Sequence, residues 1–104
     1  MQVEFEGRTA HAAGDPWNGL NALDAAVAAY NNVAMLRQHI QPVERIHGVF
    51  EDGGTAPNVV PQYTRMNWGV RASTIKRADA LPNRVKACFE AGAAAAGCSI
   101  NYTP

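Results

Sequence analysis

His11 stands in the run Gly7-Arg8-Thr9-Ala10-His11-Ala12-Ala13, closed by Gly14-Asp15-Pro16. Its neighbours are small, so a ligand can reach the imidazole, and a helix N-terminus close by favours an anion. Such a histidine is either a donor to a bound ligand or an ordinary surface-loop residue, and spacing alone leaves both open. Asn58 lies between Pro57 and Val59-Val60-Pro61. Two prolines stiffen that loop, which then either holds an amide at a fixed angle or is a plain turn. Arg71 falls at the end of a strand pattern; its planar, permanently charged head suits bidentate carboxylate binding, the bland alternative being a solvated edge charge.

Other chemistry is sparse. His11, His39 and His47 make no closely spaced metal pair, and there is neither a Cys-x-x-Cys nor a phosphate-binding glycine loop. His11 and Asp15 are four apart, but Gly14 and Pro16 argue against a continuous helix through both. No metal site is expected from this chain alone. Gly53-Gly54 is read as backbone geometry.

The elements that must position these residues follow from periodicity. Val3 and Phe5 alternate with Gln2, Glu4 and Glu6, a half-buried strand over residues 2–6. A helix then starts either at Asp15-Pro16 or at Leu20 and ends near His39 or Ile40, before Pro42. Leu20, Leu23, Val27, Tyr30 and Ala34 form its main apolar stripe. Ala22, Ala25, Ala29, Val33 and Leu36 form a second face, which is predicted to meet another subunit or domain because a helix on one sheet does not need two apolar faces. Residues 44–52 read as a strand with Ile46, Gly48 and Phe50 on one side and Arg45, His47, Val49 and Glu51 on the other. A third strand sets Thr64, Met66, Trp68, Val70 and Ala72 inward and Tyr63, Arg65, Asn67, Gly69 and Arg71 outward. The second helix is placed from about Ala78 to Ala96, with Pro82 in its first turn and Gly97 as its stop. Its stripe is Leu81, Val85, Cys88, Phe89 and Ala96. The last strand is placed at 98–103, with alternation read through Pro104. The order βαββαβ predicts an α+β, ferredoxin-like open-faced sandwich: a four-stranded antiparallel sheet with two helices on one face.

Composition sets the outer bounds. The chain has 104 residues, 47% hydrophobic and 17% charged, enough for one core and too few for two. Nine basic and nine acidic residues balance to zero without a Lys/Arg block, which argues against nucleic acid or an anionic membrane as partner. No apolar run approaches the roughly 20 residues of a membrane span, and the first residues do not read as a signal peptide. Cys88 and Cys98 are read as reduced packing residues, consistent with a cytoplasmic location. Strand patterning reaches both ends with no lead-in, so residues 1–104 are expected to be a single domain of a longer protein.

Three stretches together resemble a known family. Gly7 to Ala13 with Asp15-Pro16 and Gly19-Leu20-Asn21-Ala22, then Gly53-Gly54 with Pro57-Asn58-Val59-Val60-Pro61, then Arg71, occur in the order found in the dimerisation (lid) domain of zinc-dependent peptidases and amidohydrolases. That family includes aminoacylase, glutamate carboxypeptidase, succinyl-diaminopimelate desuccinylase and aminobenzoyl-glutamate hydrolase, and the first stretch with its Ala-rich helix looks most like the last. The resemblance implies a parent enzyme hydrolysing an N-acyl amino acid, a dipeptide or an aminobenzoyl-glutamate-like amide. Two zinc ions would sit in a separate catalytic domain and none in this one. It implies a homodimer formed through an edge strand and the first helix. It also implies that His11 is catalytic, donating to the amide oxygen and often in the partner's site, while Asn58 and Arg71 bind substrate, commonly its carboxylate. His47, on the Arg71 side, either joins that site or packs on the open face. A pure assembly domain and a stand-alone amino-acid-binding regulatory module are the rival readings. An RNA-recognition module would need more aromatic residues on the open face.

Overall fold

Alternation along Tyr63–Arg71 builds the sheet around which everything else is placed. The computed structural model describes residues 1–103. Its elements are β1 (Gln2–Glu6), α1 (Ala22–Leu36), β2 (Arg45–Asp52), β3 (Tyr63–Arg71), α2 (Ile75–Ala96) and β4 (Ser99–Thr103), with 3-10 turns at Pro16–Asn18 and Arg37–His39. The sheet order is β2-β3-β1-β4 and every pairing is antiparallel, with two helices and one four-stranded sheet as expected of the ferredoxin-like sandwich. Pro104, to which the strand reading was carried, lies outside the described residues.

Val3, Phe5, Met66, Trp68 and Ile46 point to the helical side and are buried, where Val33, Leu81, Val85 and Phe89 cover them. Trp68 lies between Tyr30 and Phe89, with ring centroids 5.7 and 5.6 Å away. The opposite face is polar: Tyr63 hydrogen-bonds Glu4, and Arg65 pairs with Glu51 at 3.2 Å.

The first helix begins later than either expected start. Asn21 caps it, its Oδ1 accepting from the Leu23 and Asp24 amides at 2.9 and 3.0 Å. The 3-10 turn occupies Pro16–Asn18, and Gly19 and Leu20 stay extended or bridged. The roles of its two faces are also reversed. Ala22, Ala25, Ala29, Val33 and Leu36, expected to meet another subunit, are buried within this chain. Val27, Tyr30 and Ala34 from the supposed core stripe are exposed, and Leu20 and Leu23 are half-buried. The reason is the close approach of α2. A Cβ on Gly92 would lie 2.6 Å from the Ala25 carbonyl oxygen and 2.7 Å from the Ala29 nitrogen, so the alanine face must lie against α2.

The second helix starts earlier than expected, at Ile75, and Pro82 is therefore interior. Thr74 caps it through Oγ1, and Arg77 in its first turn is bound by Glu44. Proline removes the bond to the Ala78 carbonyl, but Ala78 is exposed, so that carbonyl is open to solvent. Gly97 ends the helix with φ 71°, as anticipated. Cys88 and Cys98 are unpaired and half-buried.

Among the described residues Glu44 is the buried charge. Both its oxygens are held by Arg77, Nη2 to Oε1 at 2.9 Å and Nε to Oε2 at 3.0 Å, and the Gln41 amide donates to Oε1 at 2.8 Å. These contacts join the segment before β2 to the start of α2. The Arg77 hydrogen bonds, then that of Gln41, outweigh burial and lower the carboxyl pKa from 4.5 to about 2.

Two outcomes follow from this packing. Gly92→Ala will destabilise the fold even though alanine gains about 1 kcal/mol of helix propensity over glycine, and Gly92→Val will cost on the order of 3 kcal/mol by overpacking; urea midpoints of the two variants check this. Because the folded pKa of Glu44 lies below its unfolded value, its contribution is complete above about pH 4.5 and is lost as pH falls towards 2. Stability measured against pH should decline through that window in the wild type and decline less in Glu44→Gln, which starts from lower stability at neutral pH.

Candidate functional site

Residues 7–20 leave β1, loop out and return to its end. Arg8 and Leu20 exchange backbone hydrogen bonds of 2.9 and 2.8 Å across the neck of this loop. The neck requires glycine at position 7, where a Cβ would fall 2.0 Å from the Leu20 carbonyl oxygen. Inside the loop, Asp15 Oδ1 accepts from the His11 amide at 3.1 Å, and the Asp15 amide returns to the His11 carbonyl at 3.1 Å. The four-residue spacing of His11 and Asp15 is thus a turn held by the carboxylate. Asp15 is a structural member of the site that metal-spacing logic passes over.

The imidazole is fixed by its own backbone. His11 Nδ1 accepts from the Gly14 amide at 2.9 Å and the Ala13 amide at 3.2 Å. Two donors at Nδ1 require a lone pair there, so the ring is the neutral tautomer with its proton on Nε2. His11 is exposed. The loop therefore presents one N–H donor on a ring whose orientation is set before any ligand arrives.

Asn58 is brought to the same place by strand-like pairing of two loops. Residue 11 bridges Val59; the Ala12 amide donates to the Asn58 carbonyl at 3.1 Å and the Val60 amide to the Ala10 carbonyl at 2.9 Å. The Pro57–Pro61 segment is thereby stitched to the His11 loop. Asn58 is exposed, and its side chain has no hydrogen bond among the described residues.

Arg71 is not part of this cluster. Tyr63 pairs with Glu6 at the His11 end of the sheet, and Arg71 lies at the far end of the nine-residue β3. At about 3.4 Å per residue this separates the two ends by roughly 27 Å. Around Arg71 are Arg45, directly opposite in the β2 register, and His47, opposite Gly69. Together with Val70 these residues line one depression. Among the described residues no carboxylate pairs with Arg71. His11 and Asn58 thus stand together and Arg71 stands apart from them, at opposite ends of one sheet.

Among the described residues no three His, Cys, Asp or Glu side chains gather as a metal-binding group. No helix among them is long and apolar enough to cross a membrane.

Similarity to known proteins gives the family. The family model described as the peptidase dimerisation domain matches residues 1–96. The chain is 43% identical over 100 residues to Xaa-Arg dipeptidase of Homo sapiens, covering 96% of this chain and 23% of that protein. It is 32% identical over 90 residues to a p-aminobenzoyl-glutamate hydrolase chain of Escherichia coli (strain K12), covering 86% of this chain and 19% of that one. Among solved structures, an aminobenzoyl-glutamate utilization protein from Klebsiella pneumoniae superposes with a TM-score of 0.81 at 26% identity, over 96% of this chain and 25% of that one. The chain thus spans about a quarter of the length of these relatives. The resemblance drawn from the residues around His11, Asn58 and Arg71 holds, and the aminobenzoyl-glutamate branch is among the relatives. With the two-helix, four-strand frame that carries those residues, the match over residues 1–96 makes this chain a member of the peptidase dimerisation domain family.

Proposed function

We propose that residues 1–104 are the dimerisation and substrate-binding domain of a longer zinc-dependent amidohydrolase or peptidase, with His11 supplying a catalytic hydrogen bond to its partner's active site. The observation that carries this reading is the locked tautomer: two backbone amides on Nδ1 leave the Nε2 proton to be given. An exposed donor held rigidly costs no reorganisation when an amide oxygen gains negative charge, the condition for oxyanion stabilisation. A neutral imidazole donates without having to lose or gain a proton. The two zinc ions that the family resemblance implies belong, in this reading, to a catalytic domain outside this chain. The free thiols of Cys88 and Cys98 support a reducing, cytoplasmic compartment.

Asn58, stitched to the same loop, supplies an amide beside His11, and Arg71 takes a carboxylate of the substrate. A dipeptide ending in arginine and an aminobenzoyl-glutamate, the compounds named for the relatives, are both amides whose amino-acid side bears a free carboxylate. The length of β3, roughly 27 Å between the end beside the His11 loop and the end that carries Arg71, exceeds that of either compound. If both act on one substrate they come from two copies. Antiparallel pairing of two β2 edges carries the His11 end of one copy towards the Arg71 end of the other, which supports action in trans. The apolar residues Tyr30 and Phe50, stacked at 6.1 Å beside the β2 edge, support that edge and α1 as the dimer surface.

In the full-length enzyme, His11→Ala should lower kcat by about 100- to 1000-fold with a smaller change in KM. Near-normal turnover in steady-state kinetics would leave the domain an assembly element only. Arg71→Ala should raise KM for substrates with a free carboxylate and leave ester or amide analogues unchanged; equal loss on both kinds would mean a structural role. Mixing the two weak variants and allowing subunits to exchange should restore activity that neither has, since one site of each mixed dimer then holds both residues. No recovery after exchange would place His11 and Arg71 on separate substrates.

A further inference from the structure

The backbone of β2 fixes how a second copy can join it. The Gly7 amide bonds the Gln62 carbonyl, and the Met1 and Trp68 backbones bond each other, so the even-numbered residues of β3 face β1. The odd-numbered residues of β3 therefore face β2, where their partners are Arg45, His47 and Val49. By the strand period, Ile46, Gly48 and Phe50 direct their amides and carbonyls to the unpaired edge.

One of these edge groups is already taken. Arg37, just beyond α1, donates Nη2 and Nε to the Ile46 carbonyl at 2.9 and 3.3 Å. At the other end the register shifts between Phe50 and Asp52, and Asp52 turns its backbone back to β3. Gly48 and Phe50 alone remain with both groups open. On the helical side of this edge lie Val27 and Tyr30 of α1, 43% and 38% exposed, and Phe50, 42% exposed. On the otherwise polar open face Val49 is 60% exposed. The outer strand β4 carries no large exposed apolar residue.

We infer that two copies pair their β2 strands antiparallel with the twofold axis at Val49, and that Arg37 sets this register. The inference rests on the self-association proposed above. In this register Gly48 of one copy and Phe50 of the other exchange both backbone bonds, twice over. Val49 meets its own copy in a non-bonded pair, where side chains approach most closely. His47 then stands opposite Glu51, an imidazole beside a carboxylate. Shifting the axis to Gly48 would set Phe50 against Ile46, whose carbonyl Arg37 holds, leaving both Phe50 amides without an acceptor. It would also place the exposed Val49 opposite His47. The edge thus carries its own register device: an arginine from the preceding helix end that closes one carbonyl and leaves two residues to pair.

Cysteine cross-linking tests this on the chain with Cys88→Ser and Cys98→Ser as background. Residues opposite each other in a non-bonded pair have Cα atoms about 4.5 Å apart, within disulfide range. Val49→Cys should oxidise to a covalent dimer rapidly and almost completely, and His47→Cys at least about tenfold more slowly, since a self-pair at 47 needs the axis two residues away. Adding Arg37→Gln should lower the Val49→Cys yield and raise that of His47→Cys by opening other registers. Light scattering on the uncrosslinked protein separates the two levels of the argument. A dimer that fails to link at Val49, or links equally at His47, overturns the register. A dimer whose cross-linking is unmoved by Arg37→Gln overturns the role of Arg37. A monomer at high micromolar concentration overturns both the register and the self-association through β2.

Discussion

The contact between α1 and α2 is the constraint on which the other features rest. At Gly92 the helices approach until there is no room for a single methyl group, with the Ala25 and Ala29 backbone on the other side. Only the Ala22, Ala25 and Ala29 face of α1 can be brought that close, so this contact decides the rotation of the helix about its axis. Rotation in turn decides what α1 leaves outside. Val27 and Tyr30 emerge beside the β2 edge, where Tyr30 stacks on Phe50, and Arg37 arrives within reach of the Ile46 carbonyl. An apolar strip and an unpaired strand edge become one surface because the helix interface is made of small residues.

The molecule is two-ended, and each end is secured by a different kind of interaction. At one end, backbone bonds join the His11 loop to β1 through Leu20 and to the Asn58 loop through Val59 and Val60. Small residues suit this, since chain must approach chain. At the other end, the Glu44–Arg77 pair closes the segment before β2 onto α2, and the buried carboxylate accepts from Gln41 and Ser73 as well. Full hydrogen bonding is what makes a charge tolerable there. In the antiparallel dimer proposed above, the two copies set unlike ends together.

Much of the frame was legible in local pattern. The alternation of Tyr63–Arg71 has one face for the core and one for solvent, a period-two signal that survives whatever else the chain does. Glycine at 97 and the turn-rich residues 53–61 likewise act locally. The helix faces of α1 were not legible, because its sequence is apolar on two sides and periodicity cannot say which side meets a neighbour. The early start of α2 was hidden for a related reason: Pro82 argues for a first turn, and only Arg77 reaching Glu44, 33 residues away in sequence, shows why the helix begins before it.

By itself the sequence determined the element order and the sheet alternation, since short-range pattern carries that information, and it marked His11, Asn58 and Arg71 as candidates by residue type and by resemblance to a family. Tertiary structure alone decided where they stand relative to one another. Loop pairing places Asn58 beside His11, while β3 extends between them and Arg71. It also decided the tautomer of His11, because the Ala13 and Gly14 amides reach Nδ1 only in a turn that Asp15 closes. Distance along a chain says little about distance in space once a strand has run the length of a sheet, and hydrogen-bond direction exists only after the backbone has folded.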